Sequence, residues 1–254
     1  VPRQEAFRFR TADGTFVPGI TASQMREVDR IAVEEMGLGI LQMMENAGRN
    51  LAETAQELSG ATSGKIVVLA GGGGNGGGGL CCARHLLNHG VGVSVVLDRP
   101  AARLVGPARA QHRVLARAGH SVVPAADVPE LLKQTSLVID ALIGYSLRGA
   151  PHGRVADLIA LCNRLGKKVL SLDVPSGLDA TTGHSPGAVV RSDVVLTLAL
   201  PKTGLARSDG ALLLADIGIP RQVFARIGVD YTSPFGGGYR IQLEPDWGRD
   251  EGGS

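Results

Sequence analysis

The chain is short of aromatic residues, of net charge, of cysteine and of long apolar runs, and each shortage excludes something. Aromatics are 4% of the 254 residues. The core must therefore be built from Val, Leu, Ile and Ala, and no stretch interleaves basic and aromatic side chains as a single-strand nucleic-acid surface does. The 26 Lys and Arg nearly balance the 24 Asp and Glu, for a net charge of +2, which argues against a DNA or RNA partner. Three cysteines, two of them adjacent (Cys81 and Cys82), form neither a disulfide framework nor a metal-ligand spacing. Reduced thiols and a cytoplasmic location are the resulting expectation. The six histidines are scattered, with no zinc or iron spacing. No apolar run approaches the ~20 residues that span a membrane, and the first ten residues, VPRQEAFRFR, lack the apolar stretch of a secretory signal. There is no Gly-Lys-Ser/Thr after a glycine loop and no GxSxG elbow, so neither a P-loop nor a serine nucleophile is indicated.

Glycine, by contrast, is abundant and concentrated. Residues 71–79 are glycine except for Asn75. A β-branched apolar run, 66–70, leads into them, and a helix-like stretch, 80–87, follows at once. Strand, glycine loop and helix in direct succession bring backbone N–H groups up to an anionic ligand. A flexible linker is the alternative, but no spacer separates the tract from the strand or the helix.

The remaining pattern alternates strands and helices. Thr21 and Gln24 read as a capping box, with a helix beyond it that ends at Gly37 and Gly39. A second helix runs over 41–58, in which Glu45 and Asn46 read as a solvated edge beside the apolar face. Strands are expected at 66–70, 93–97, 121–123, 137–139, 168–172, 194–200 and 211–214. Helices are expected at 107–118, 128–134 and 155–165. This implies a three-layer α/β/α Rossmann-like domain with a mostly parallel sheet. It occupies 20–235, between an N-terminal arm (1–19) and a C-terminal tail (236–254) that frays.

Four strands finish in polar residues: Asn75 in the loop after 66–70, Asp140 after 137–139, Asp173 and Ser176 after 168–172, and Lys202 after 194–200. In a parallel sheet these ends share one edge, where open α/β folds bind ligands. Asp140, Asp173, Ser176 and Asn75 are all oxygen donors. They suit a hard cation, or a division between a cation site and a general acid/base.

MENAG at 44–48, VLAGGGGNGGGGLCCARHL at 68–86, VIDALIG at 138–144, LDVPSGLDA at 172–180 and ALPKTGL at 199–205 occur in the order found in the YjeF N-terminal domain family. The chain resembles that family over about residues 21–219. The resemblance implies epimerisation of the R and S forms of NADHX and NADPHX, nicotinamide nucleotides hydrated at C6. The nucleotide is then the substrate and not a redox cofactor. It also implies a homodimer, a partner dehydratase, and one potassium ion per subunit held by Asn75, Asp140 and Ser176. Substrate contacts fall on Gly74, Asn75, Gly76, Gly77 and Gly78, on the loop Gly144, Tyr145, Ser146, Leu147, Arg148, Gly149 and Ala150, and on Asp173. Acid/base work falls to Asp173 or Asp140. The glycine loop departs from the family pattern: Gly72 stands for a proline, Gly74 for an asparagine and Gly78 for an aspartate. The alternative is a catalytically impaired binding or dimerisation scaffold that has lost those polar groups.

Overall fold

The computed structural model describes residues 7–60 and 65–247. Its centre is a run of six parallel strands: β3 (Lys65–Ala70), β4 (Val93–Leu97), β5 (Thr135–Ala141), β6 (Lys168–Leu172), β7 (Val194–Leu198) and β8 (Ala211–Ala215). Their order is β4-β3-β5-β6-β7-β8. After β3 the chain steps outward to β4, then returns to lay β5 on the other side of β3. The crevice between the ends of β3 and β5 is thus the topological switch point, where ligands of open α/β sheets bind.

Side chains alternate across the sheet as a two-residue period requires. Ile66, Val68, Leu137, Ile139 and Leu170 lie in one core with α2 (Ile40–Ser59), α3 (Gly74–Asn88) and α4 (Gly106–Arg117). Val67, Leu69, Val138 and Val169 lie in another, with α5 (Val128–Lys133) and α6 (Gly153–Leu165). Near-continuous apolar strands are what a sheet covered on both faces demands. The expected three-layer α/β/α arrangement is present.

The capping box forms as expected. The Thr21 side chain accepts from the Gln24 N–H, and Gln24 accepts from the Thr21 N–H at 2.9 Å. It starts α1 (Ala22–Arg30), which continues into a π-helical turn at Ile31–Glu35.

Four expectations need correction. The segment read as an N-terminal arm carries β1 (Arg8–Arg10) and β2 (Phe16–Pro18), and the segment read as a fraying tail carries β9 (Arg240–Asp246). β9 runs antiparallel to β8 and to β1 and extends the sheet to nine strands. Phe9 and Leu243 are buried there, in a third core with α1 and α7 (Arg221–Arg226). The strand expected at 121–123 is a single bridge between Val95 and Val122. Glu45 and Asn46 form a half-exposed edge, as expected, but one tied to neighbouring elements. Glu45 accepts from Arg84 and from His85 (2.8 Å), and Asn46 donates to the Ile217 carbonyl at 3.1 Å.

The fourth correction concerns the glycine tract. Helix α3 begins at Gly74, so only Gly71–Gly73 are loop. Each interior glycine costs about 1 kcal/mol of helix propensity, yet close packing leaves little room for a side chain at several of them. A Cβ on Gly76 would lie 1.7 Å from the Gly71 carbonyl oxygen, one on Gly79 2.5 Å from the Ala141 Cβ, and one on Gly77 2.6 Å from the Met44 Cε. On α2, a Cβ on Gly48 would sit 2.5 Å from the Cys81 Sγ. The tract is a close-packing surface as much as a ligand loop.

Candidate active site

At the carboxyl edge of the sheet lies an apolar cavity of about 350 Å³, within the range of small-molecule sites. Met25, Met43, Met44 and Ile217 supply its apolar wall, while Asp29, Asn75, Asp173 and Lys202 bring polar groups to it. A second cavity of about 260 Å³, lined by the glycine loop, Asp98, Arg99 and the 146–152 loop, shares Gly74, Asn75, Gly144 and Ser146 with the first.

Asp173 stands at the β6 end with φ 68°, in the left-handed region that non-glycine residues rarely enter. Its N–H donates to the Leu196 carbonyl at 2.7 Å, which ties the turn to β7. The carboxylate is 4% exposed. Oδ1 accepts from the Lys202 ammonium, and Oδ2 accepts from the Tyr145 N–H at 3.1 Å. Lys202 is fully buried, and it also donates to the Leu198 carbonyl (2.8 Å) and the Thr197 hydroxyl (3.4 Å). Its three donors thus meet three oxygens. The Tyr145 hydroxyl donates to Asp29 at 2.5 Å. Burial pushes the Asp29 carboxyl above its ordinary value, with the Tyr145 bond opposing. Burial and the Asp29 charge push the Tyr145 phenol up as well.

Asp140 differs. It lies inside β5 rather than after it, with Ser171 as its register partner on β6. It is fully buried, and each oxygen accepts twice. Oδ1 takes the Ser176 hydroxyl (2.6 Å) and the Leu142 N–H (3.3 Å), and Oδ2 takes the Ser171 hydroxyl (2.8 Å) and the Ser176 N–H (2.9 Å). Burial raises its pKa, against those bonds. Ser176 in turn accepts from the Ile143 N–H at 2.8 Å, so Asp140 and Ser176 pin the 142–145 loop to the sheet.

Gly144 is closely approached by site side chains. A Cβ there would lie 3.0 Å from Asn75 Oδ1 and 3.1 Å from Asp173 Oδ2. Asn75 Nδ2 is buried without a hydrogen-bond partner among the described residues. An orphaned buried amide is a costly feature that a ligand relieves.

The expected site residues divide accordingly. Gly74, Asn75, Gly78, Gly144, Tyr145, Ser146 and Asp173 line the apolar cavity, and Leu147, Arg148 and Ala150 line the second. Gly76, Gly77, Gly149, Asp140 and Ser176 line neither. Lys202 was visible only as a strand-end polar residue, and Asp29 carried no signal beyond the polar face of a helix. One histidine joins a cluster that no sequence spacing announced: Glu45, Cys81 and His85 place ligand atoms within 4.8 Å of one another. The Arg84 guanidinium already bridges Glu45 and Cys81, and the cluster ties α2 to α3. Burial, reinforced by the Glu45 charge, pushes the Cys81 thiol up to about 12.

The chain is 49% identical to the NAD(P)H-hydrate epimerase of Dehalogenimonas lykanthroporepellens over 94% of this chain and 98% of that protein. It is 38% identical to that of Truepera radiovictrix, over 83% and 94%. It is also 38% identical to the bifunctional NAD(P)H-hydrate repair enzyme of Hyperthermus butylicus, where the match spans 77% of this chain and 37% of that longer protein. The crystal structure of yeast YNL200c superposes with a TM-score of 0.76 at 23% identity, over 90% of this chain and 100% of that one, and shares the fold. Residues 40–204 match the family model described as YjeF-related protein N-terminus, and the chain belongs to that family.

Proposed function

We propose that this protein is an NAD(P)H-hydrate epimerase, an isomerase that interconverts the R and S forms of NADHX and NADPHX. One observation carries the reading: a buried Asp173–Lys202 pair at an apolar cavity that opens beside a glycine loop and the N-terminus of α3. The loop and the helix N-terminus take the substrate's phosphates, and the apolar cavity takes the hydrated nicotinamide ring.

Epimerisation at the hydroxyl-bearing carbon breaks and remakes one bond, with proton transfer. Asp173 is the general acid/base. Lys202 fixes Oδ1 and the Tyr145 N–H orients Oδ2, so the carboxylate meets the ring in one geometry. Met43, Met44 and Ile217 exclude water around it. Asp140 is a positioning residue. It holds Ser176 and through it the loop that carries Gly144 and Tyr145.

Asn75, Asp140 and Ser176 hold one potassium ion per subunit. A carboxylate, a hydroxyl and the Asn75 amide oxygen are hard oxygen ligands that suit such an ion, which would replace hydrogen bonds that Asp140 and Ser176 now make to each other, while the orphaned Asn75 Nδ2 is a donor that would face an acceptor on the substrate. Bound there, the ion supplies positive charge against the substrate's phosphates. A homodimer in the cytoplasm, working with a dehydratase that consumes the S form, completes the proposal. The three buried free cysteines fit a reducing compartment, and among the described residues no helix is long and apolar enough to cross a membrane. The scaffold alternative rested on missing polar groups at 74 and 78. It is not favoured, because the cavity and its Asp173–Lys202 pair are intact.

The test enriches one NADHX epimer, adds protein with potassium, and follows the R/S ratio against a protein-free control. Acceleration supports the reading; a folded protein that leaves the ratio at the control rate contradicts it.

A further inference from the structure

We infer that Arg99, clamped by Asp98 across the glycine loop, recognises the 2′-phosphate of the substrate's adenosine, so that the protein prefers NADPHX to NADHX. This rests on the nucleotide reading above and extends it to the second cavity.

Asp98 and Arg99 follow β4, one strand outward from the switch point, on the edge where doubly wound sheets place the ribose of a dinucleotide. In such sites a free acidic residue accepts a hydrogen bond from the ribose 2′-hydroxyl, and a nearby arginine instead accommodates a 2′-phosphate. Asp98 is not free. Arg99 Nε donates to its Oδ1 at 2.8 Å and Nη2 to its Oδ2 at 2.7 Å, and the Asp98 side chain is 3% exposed. Both carboxylate oxygens are thus engaged and screened from a ribose.

Arg99 is the accessible member, at 46% exposure. The clamp leaves Nη1 and the guanidinium face directed elsewhere than Asp98. Gly72 makes its position possible: a Cβ there would lie 2.4 Å from Arg99 Nε and 2.5 Å from its Cζ. The guanidinium therefore lies on the backbone of the loop that receives the diphosphate. Both residues line the cavity of about 260 Å³, which shares Gly74 and Asn75 with the reaction cavity. A fixed planar guanidinium suits a phosphate better than a hydroxyl. Arg148 and His152 line the same cavity and supply general anion affinity.

Calorimetric titration with ADP-ribose and 2′-phospho-ADP-ribose tests this without requiring turnover. The wild type is expected to bind the 2′-phospho compound at least tenfold tighter. Arg99→Ala is expected to bring the two within twofold, and Gly72→Ala, which displaces the guanidinium, to narrow the gap. Asp98→Asn/Arg99→Ala gives the same result with no unpaired buried carboxylate, so a folding defect in the single variant is separable. Equal affinities in the wild type overturn the assignment alone, as does a preference that survives in Arg99→Ala or is abolished only by Arg148→Ala. Binding of neither probe by the folded protein overturns the nucleotide reading and this assignment with it.

Discussion

The ends of β5 and β6 each present a buried aspartate, and the two have different surroundings. Asp140 accepts four hydrogen bonds, one from Leu142 in its own turn and three from Ser171 and Ser176 on and after β6, and lines no cavity. Asp173 accepts one from a buried lysine and one from a backbone N–H, and faces the apolar cavity. Burial is nearly the same at both. The lesson is that burial of a carboxylate does not assign its role. What remains unsatisfied around it, and which cavity it faces, does.

The largest expected effect separates the two directly. Asp173→Asn is expected to lower epimer exchange by about 10²–10⁴-fold, the usual weight of a positioned acid/base. It also strands the Lys202 ammonium, at a cost of about 3–5 kcal/mol. Asp173→Asn/Lys202→Met removes the stranded charge, so denaturant unfolding should show stability recovered while exchange stays low. Recovery of exchange along with stability would break the comparison.

Asp140→Ala comes next and should act mainly on stability. It orphans donors from Ser171, Ser176 and Leu142, for a loss of about 2–4 kcal/mol in urea unfolding. Exchange per folded molecule at saturating potassium should fall far less than in Asp173→Asn. A catalytic loss as deep as that of Asp173→Asn, at unchanged stability, would reverse the two roles.

The glycine tract sharpens the contrast between packing and site. Gly76→Ala drives a Cβ into the Gly71 carbonyl and should destabilise by about 3 kcal/mol or more. At Gly74 nothing lies within 4 Å of the added Cβ, so Gly74→Ala should stabilise by up to about 1 kcal/mol. Thermal melts of the two variants suffice.

The smallest effect is a silence. Burial holds the Cys81 and Cys162 thiols near about 12 and the Cys82 thiol well above its ordinary range. Thiolate is scarce at pH 7.5, and native protein should resist iodoacetamide until denatured, as mass spectrometry would show. Rapid labelling of Cys81 would indicate that the α2–α3 packing opens.

How much of this was legible in the sequence follows the range of the interactions. The parallel strands at 66–70, 93–97 and 168–172 announce themselves in local apolar runs, and their shared edge brings Asn75, Asp140, Asp173 and Lys202 to one end of the sheet. β1 and β9 were missed because a short strand exists only through its partner. Arg8–Arg10 pairs with Asp246 back to Glu244, more than two hundred residues away. The helical start at Gly74 contradicts local propensity, and Met44, Leu172 and Ala141 occupy the space that Cβ atoms on Gly77, Gly78 and Gly79 would need. The pairing of half-exposed Glu45 stayed hidden because its partners, Arg84 and His85, lie on another helix. The division of labour between Asp140 and Asp173 depends on Ser171, Ser176 and Lys202, contacts that no spacing encodes.

The most direct test of the central claim compares epimer exchange, per folded molecule and at saturating potassium, for wild type, Asp173→Asn/Lys202→Met and Asp140→Ala. The account predicts that the wild type accelerates exchange, that the first variant folds and does not, and that the second folds less stably and loses far less of the rate than the first. Exchange at wild-type speed without Asp173 and Lys202 would contradict it.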